Sequence, residues 1–177
     1  MKIARTIAAS AVGASVILGG VALAGPAQAA TTTQCHTTTK SFDLPSKPDV
    51  TVRAKICVKD TGTYGGYHHY KAWLSKVSWD GSWWNPGTRF NDFYFNVGAQ
   101  HGSHGAWKSS GESNDVRSEI NDNSSGSKSF SSGAGGYGVT YVTTKQRGWT
   151  ADGYAVFDAN DGRGARTWQL HGTAAVR

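Results

Sequence analysis

His101-Gly-Ser-His104 sets two imidazoles at a spacing from which one loop can turn both nitrogens toward a metal ion. No cysteine is left over to complete such a set, so the pair reads as solvated loop histidines. His68 and His69 are adjacent; on a strand they point to opposite faces and cannot share an ion. Asp158-Ala-Asn160-Asp161-Gly162 has the look of a calcium loop, but the hand-type loop wants oxygen ligands at positions one, three and five with glycine sixth. Here Gly162 is fifth, and a turn between two strands accounts for the run. No metal site and no cofactor is expected.

Hydrolytic chemistry has little material. Glu112 and Glu119 are the only glutamates, which leaves few candidates for the paired carboxylates of glycoside hydrolysis. No G-x-S-x-G elbow, H-E-x-x-H pair or phosphate-cradling loop is present. Trp83 and Trp84 offer something else. They stand beside Pro86 and Gly87 in what reads as a connection, where burying both indoles is difficult. An exposed indole presents a flat apolar face that stacks on sugar rings, and a pair of them on the surface marks an expected ligand site.

The elements that must carry these residues read as strands. Val50, Val52, Ala54, Ile56 and Val58 alternate with Thr51, Arg53, Lys55, Cys57 and Lys59, the pattern of a strand with one buried face. The register places Cys57 on the opposite, polar face with Arg53 and Lys55. Leu44-Pro-Ser-Lys-Pro48 before it is a turn, and folding residues 35–43 back across that turn brings Cys35 opposite Cys57. A Cys35–Cys57 disulfide is expected. Gly62 to Gly66 reads as a turn, Tyr67–Trp79 as a strand and Asp80-Gly81 as a turn dipeptide. Phe93, Phe95, Val97 and Ala99 alternate in the next strand. Residues 102–136 are rich in Ser, Gly and Asn, with one apolar island at Val116–Ile120, either a short strand or one helical turn. Tyr137–Lys145, Tyr154–Asp158 and Arg166–Val176 read as closing strands. The fold class is all-β: one antiparallel sandwich or jelly-roll-like domain.

Composition agrees. Beyond residue 29 the chain has three Leu, two Ile and no Met, but ten Val and twenty aromatic residues, types that suit pleated, half-buried surfaces. An aromatic core is expected, since Trp and Tyr bury large areas. Lys2 and Arg5, the Ala- and Gly-diluted apolar run Ile7–Leu23, the Gly25-Pro26 break and Ala27-Gln-Ala29 have the form of a cleaved signal peptide over residues 1–29. That run is too poor in strongly apolar residues for a membrane anchor. Residues 30–177 then form one exported domain, secreted or associated with the cell wall. The formal charge of +6, two units of it in the leader, is spread along the chain without a basic run. Nucleic-acid binding is therefore not expected.

Two short stretches carry a resemblance. Arg117-Ser-Glu119-Ile120 and Gln169-Leu-His171-Gly172 resemble the Arg-Ser-Glu-Leu and Gln-Ile-His strands of the jelly-roll alginate lyases, in the same order. Tyr94-Phe-Asn96-Val-Gly98-Ala-Gln100 is similar to that family's Tyr-Phe-Lys-Ala-Gly strand, with Asn96 in place of the Lys and ahead of the other two blocks. The resemblance implies a catalytic set of Arg117, Glu119, Gln169 and His171. In it Arg117 and Gln169 would neutralise a substrate carboxylate and His171 would assist proton abstraction. The leading expectation is a non-enzymatic module that binds a glycan or cell-wall polymer through Trp83 and Trp84. The alternatives are a protein-directed factor, such as a protease inhibitor or antagonistic toxin, and a lyase of the alginate-lyase type.

Overall fold

The computed structural model describes residues 32–44, 47–81, 88–102, 107–111, 113–133 and 137–176. The leader, the Trp83–Trp84 pair and His104 lie outside the described residues. Within them the chain runs β1 (Thr33–Leu44), β2 (Lys47–Tyr64), β3 (Tyr67–Gly81), β4 (Asp92–His101), β5 (Trp107–Ser109), β6 (Asn114–Asp115), α1 (Arg117–Asp122), β7 (Ser125–Ser129), β8 (Thr140–Thr144), β9 (Trp149–Asp158) and β10 (Arg166–Gln169).

The strands form two antiparallel sheets packed face to face. The first has the order β1-β2-β3-β7, with β8 pairing the other end of β3. The second has the order β10-β9-β4-β5, with β6 also on β4. The expected all-β sandwich is the observed fold.

The alternation along β2 sets the first sheet's faces. Val50, Val52, Ala54, Ile56 and Val58 are buried in the core, and Arg53 and Lys55 face solvent. On β4 and β9 the same period of two buries Phe93, Phe95, Val97 and Ala99 against Ala151, Ala155 and Phe157. The middle of the sandwich is a knot of rings. Phe42 meets Phe90, Phe93, Phe157 and Trp168 edge to face at centroid distances of 4.9–5.9 Å. These aromatics supply the buried area that a core with few leucines lacks.

Cys35 pairs opposite Cys57 in the β1–β2 ladder and the two are bonded. The bond lies on the outer face, as the register requires. Cys57 is nevertheless covered, in a small cluster with Trp73 and Val139 apart from the main core. A disulfide of this kind forms in an oxidising environment.

Several boundaries differ from the sequence reading. The β2–β3 turn is only Gly65-Gly66, both at positive φ (59° and 78°), the geometry of a two-residue hairpin that glycine adopts without steric cost. Gly62 instead follows a β-bulge. Asp80 and Gly81 continue β3, because Ser125 and the Ser124 carbonyl supply them with ladder partners. β9 begins at Trp149, and β10 ends at Gln169 with Val176 returning as a single bridge to Trp149.

The Ser/Gly-rich stretch from 102 to 136 contributes β5, β6, α1 and β7. Its apolar island is a helical turn, in which Val116 and Ile120, four apart, are both fully buried. Arg89 holds that turn in place. The side chain is 1 % exposed, and Nη1 donates to the carbonyls of Ile120 and Asn123 at 3.2 Å each. Asn121 Oδ1 accepts from the backbone N–H of Arg89 and Phe90. Carbonyls at a helix C-terminus lack partners within the helix, and a cation there is attracted to their partial negative charge.

Candidate functional site

The outer face of the second sheet gathers what the chain presents to solvent from β4, β5, β9 and β10. Asn96 lies opposite Tyr154, and Tyr154 opposite Gln169. Gly98 lies between Asp152 and Ser109, and Gln100 between Thr150 and Trp107. Trp107 is 41 % exposed. Its indole leans from its own row onto Gly98: an ideal Cβ there would sit 2.7 Å from Cζ2. Glycine in a strand interior marks a close approach of this kind.

The result is a shallow depression of about 270 Å³ lined by Gln100, Trp107, Asp152, Gly153, Tyr154 and Gln169. One edge is the open indole, another the Tyr154 ring. Between them stand two side-chain amides and a carboxylate. Asp152 Oδ1 accepts from the N–H of Gly153 at 2.7 Å, and Ser109 Oγ donates to Asn96 Oδ1 at 2.8 Å. No outward position of β4, β5, β9 or β10 carries Lys or Arg. The ionised groups on these strands' outer side are Asp92, Asp152 and Asp158. Chemically, such a face can stack apolar ring faces and exchange hydrogen bonds with hydroxyl and amide groups.

The four residues of the lyase resemblance do not converge. Gln169 reaches the depression. Arg117 and Glu119 lie on α1: Arg117 Nη1 donates to the carbonyl of Asn91, and Glu119 pairs with Lys128 on β7. Asn91 is five residues along from Asn96, which shares a row with Gln169, a separation of roughly 17 Å at strand rise. His171 is exposed beyond β10. Its N–H donates to Thr38 Oγ1 at 2.9 Å and its ring lies 6.0 Å from that of His36. Glu119 is pulled two ways. Burial raises its carboxyl, but hydrogen bonds from Lys128 and Ser118 and the Lys128 charge bring it below the ordinary value.

Among the described residues no group of three metal-ligating side chains comes together. Asp158 and Asp161 serve as turn acceptors: Asp158 Oδ1 takes the Asn160 N–H, and Asp161 Oδ1 takes that of Arg163. Asp161 also pairs with Arg166 at 2.7 Å. His68 and His69 take different hydroxyl partners, Thr63 and Thr143.

Two features escaped the sequence reading. Trp107 sits in the Ser/Gly-rich stretch, where no apolar alternation flags a strand. The signal in the sequence is Gly98, an outward glycine in the middle of an otherwise clear strand. The second is charge. The basic residues look scattered along the chain, yet strand pairing gathers Arg53, Lys55, Lys59, Lys71 and Lys76 on the outer face of the first sheet. The two outer faces are thus opposite in sign.

No family model, curated protein or solved structure matches this chain.

Proposed function

We propose that this chain is an exported, non-enzymatic module that binds a glycan on the outer face of its second sheet. The observation that carries the reading is the open indole of Trp107, seated on Gly98 beside Asp152, Tyr154, Gln100 and Gln169. A sugar ring has an apolar face that stacks on an aromatic plane and a rim of hydroxyls that pair with amides and carboxylates. With carboxylates and no cation on these strands' outer side, a neutral or amino sugar suits the surface better than a uronate. That also counts against the lyase alternative, in which a cation must neutralise the substrate carboxylate. Export is supported by the form of residues 1–29 and by the disulfide.

The test is retention of the exported protein on insoluble polysaccharides, chitin and cellulose among them, and on cell walls. Trp107→Ala should abolish retention while far-ultraviolet circular dichroism stays unchanged. Undiminished retention by that variant would refute this site.

A protein-directed factor remains the second reading, on one observation. The β2–β3 hairpin ends in a tight turn flanked by Tyr64, 83 % exposed, and Tyr67, 42 % exposed. A rigid exposed tip with two aromatics is what an inhibitor presents. Capture of a protein partner that Tyr64→Ala prevents and Trp107→Ala does not would favour it.

A further inference from the structure

We propose that the outer face of the first sheet binds a linear phosphate-bearing polymer along the strip from Arg53 to Lys59. The reading is independent of the glycan site, which lies on the opposite side of the sandwich. Three observations carry it.

The first is register. Lys55 is directly opposite Lys76, and Lys59 directly opposite Lys71. Like charges facing each other across neighbouring strands destabilise a sheet. Two such pairs four residues apart make a surface that an anion would relieve.

The second is the lack of internal neutralisation. The ion pairs among the described residues are Lys128–Glu119 and Arg166–Asp161, and neither touches the strip. Asp43, Asp49 and Asp80 face outward beyond Arg53, near one end of the sheet, so the roughly 20 Å from Arg53 to Lys59 carries no outward carboxylate, its cations flanking the covered Cys57–Trp73 pair on both sides. Lys71 is also held in place: its ammonium donates to the Ser132 carbonyl at 2.7 Å and stands 5.4 Å from the centre of the Trp73 ring.

The third is what surrounds the charges. Thr33, Thr37 and Thr39 on β1 lie opposite Lys59, Lys55 and Arg53. Lysine ammonium with threonine hydroxyl is a donor set suited to phosphate oxygens. A planar carboxylate is better served by forked guanidinium groups, and Arg53 is the one arginine in the strip. Trp73, the aromatic inside the strip, is 8 % exposed and clusters with Val139, which leaves Tyr141, 54 % exposed opposite Lys71 at one end, as an open ring; stacking of successive bases needs a row of such rings.

The experiment titrates the exported protein, processed from the full chain, with inorganic polyphosphate over a series of salt concentrations by calorimetry. The parent should bind with a steep salt dependence. K55Q/K76Q and K59Q/K71Q should each lower the slope of log K against log salt by about one per lysine removed, and the fourfold variant should bind more than about tenfold more weakly. K55R/K76R keeps the charges and should keep the binding, which separates loss of charge from loss of fold. The melting temperature of K55Q/K76Q should be unchanged or higher, since repulsion has been removed, whereas K59Q/K71Q also gives up the Lys71 contacts to Ser132 and Trp73 and should melt somewhat lower. Trp107→Ala should bind polyphosphate like the parent, so this proposal and the glycan site can fail separately. Equal affinity of parent and fourfold variant would overturn the proposal. So would equally tight binding of polyglutamate, or tighter binding of a single-stranded oligonucleotide than of polyphosphate.

Discussion

Gly98 and Trp107 approach each other across neighbouring strands with no room for one added methyl group. A Cβ on Gly98 would lie 2.7 Å from Cζ2 and 2.8 Å from Cη2 of the indole, and 2.3 Å from the Lys108 carbonyl oxygen. The indole can sit over Gly98 because that residue has no side chain. Gly98→Ala should therefore push Trp107 and β5 off the sheet edge. The expected cost is about 1–3 kcal/mol in urea unfolding, the range for overpacking, together with loss of glycan retention. Retention at parental strength would show that Trp107 need not rest on the sheet to bind.

Trp107→Ala, by contrast, should cost only about 1–2 kcal/mol, well short of the 3–5 kcal/mol that a buried tryptophan such as Trp149 loses on truncation. Thermal melts of the two variants measure the difference. Trp83→Ala/Trp84→Ala belongs in the same panel. If that pair also stacks on the ligand, retention falls with little change in melting.

Arg89→Met should be among the most damaging substitutions. It removes two hydrogen bonds that a buried cation makes to the carbonyls of Ile120 and Asn123. Hydrogen bonds to charged groups are worth about 1.5–3 kcal/mol each, and the orphaned carbonyls add to the loss. A destabilisation of about 3 kcal/mol or more, with amide exchange in α1 quickened first, is the expected outcome. A change within about 0.5 kcal/mol would mean that the helical turn holds itself.

Cys35→Ser/Cys57→Ser should lower stability by about 3 kcal/mol, since the closed loop spans 22 residues and the stabilisation comes largely from the restricted unfolded chain. Because Cys57 packs against Trp73, the variant should also change the tryptophan emission of the folded state.

Acid stability depends in part on Glu119. Its folded pKa lies below the unfolded value of about 4.3, so its contribution is fully present above that pH and is lost as pH falls through the folded pKa. Glu119→Gln should be less stable than the parent at pH 6, with the gap closing under strongly acidic conditions. A gap that persists at low pH would mean that Glu119 acts through packing rather than charge.

What this sequence determined by itself follows from rules that act over a few residues. Alternation from Val50 to Val58 sets which face is buried, and with it the face of Cys57. The paired prolines before it return the chain so that Cys35 meets Cys57. Valine and aromatic enrichment specifies sheets over helices. Tertiary structure decided whatever depends on which strand lies beside which. The five basic residues at 53, 55, 59, 71 and 76 become one surface only when β2 and β3 pair in a bulged register. Trp107 becomes a platform only when a three-residue strand without hydrophobic alternation docks beside Gly98. Val116–Ile120 becomes a helix rather than a strand because Arg89, from across the fold, satisfies the carbonyls of Ile120 and Asn123 at its C-terminal end. Local periodicity encodes the face a side chain takes, whereas the neighbour it meets there comes from packing between distant segments.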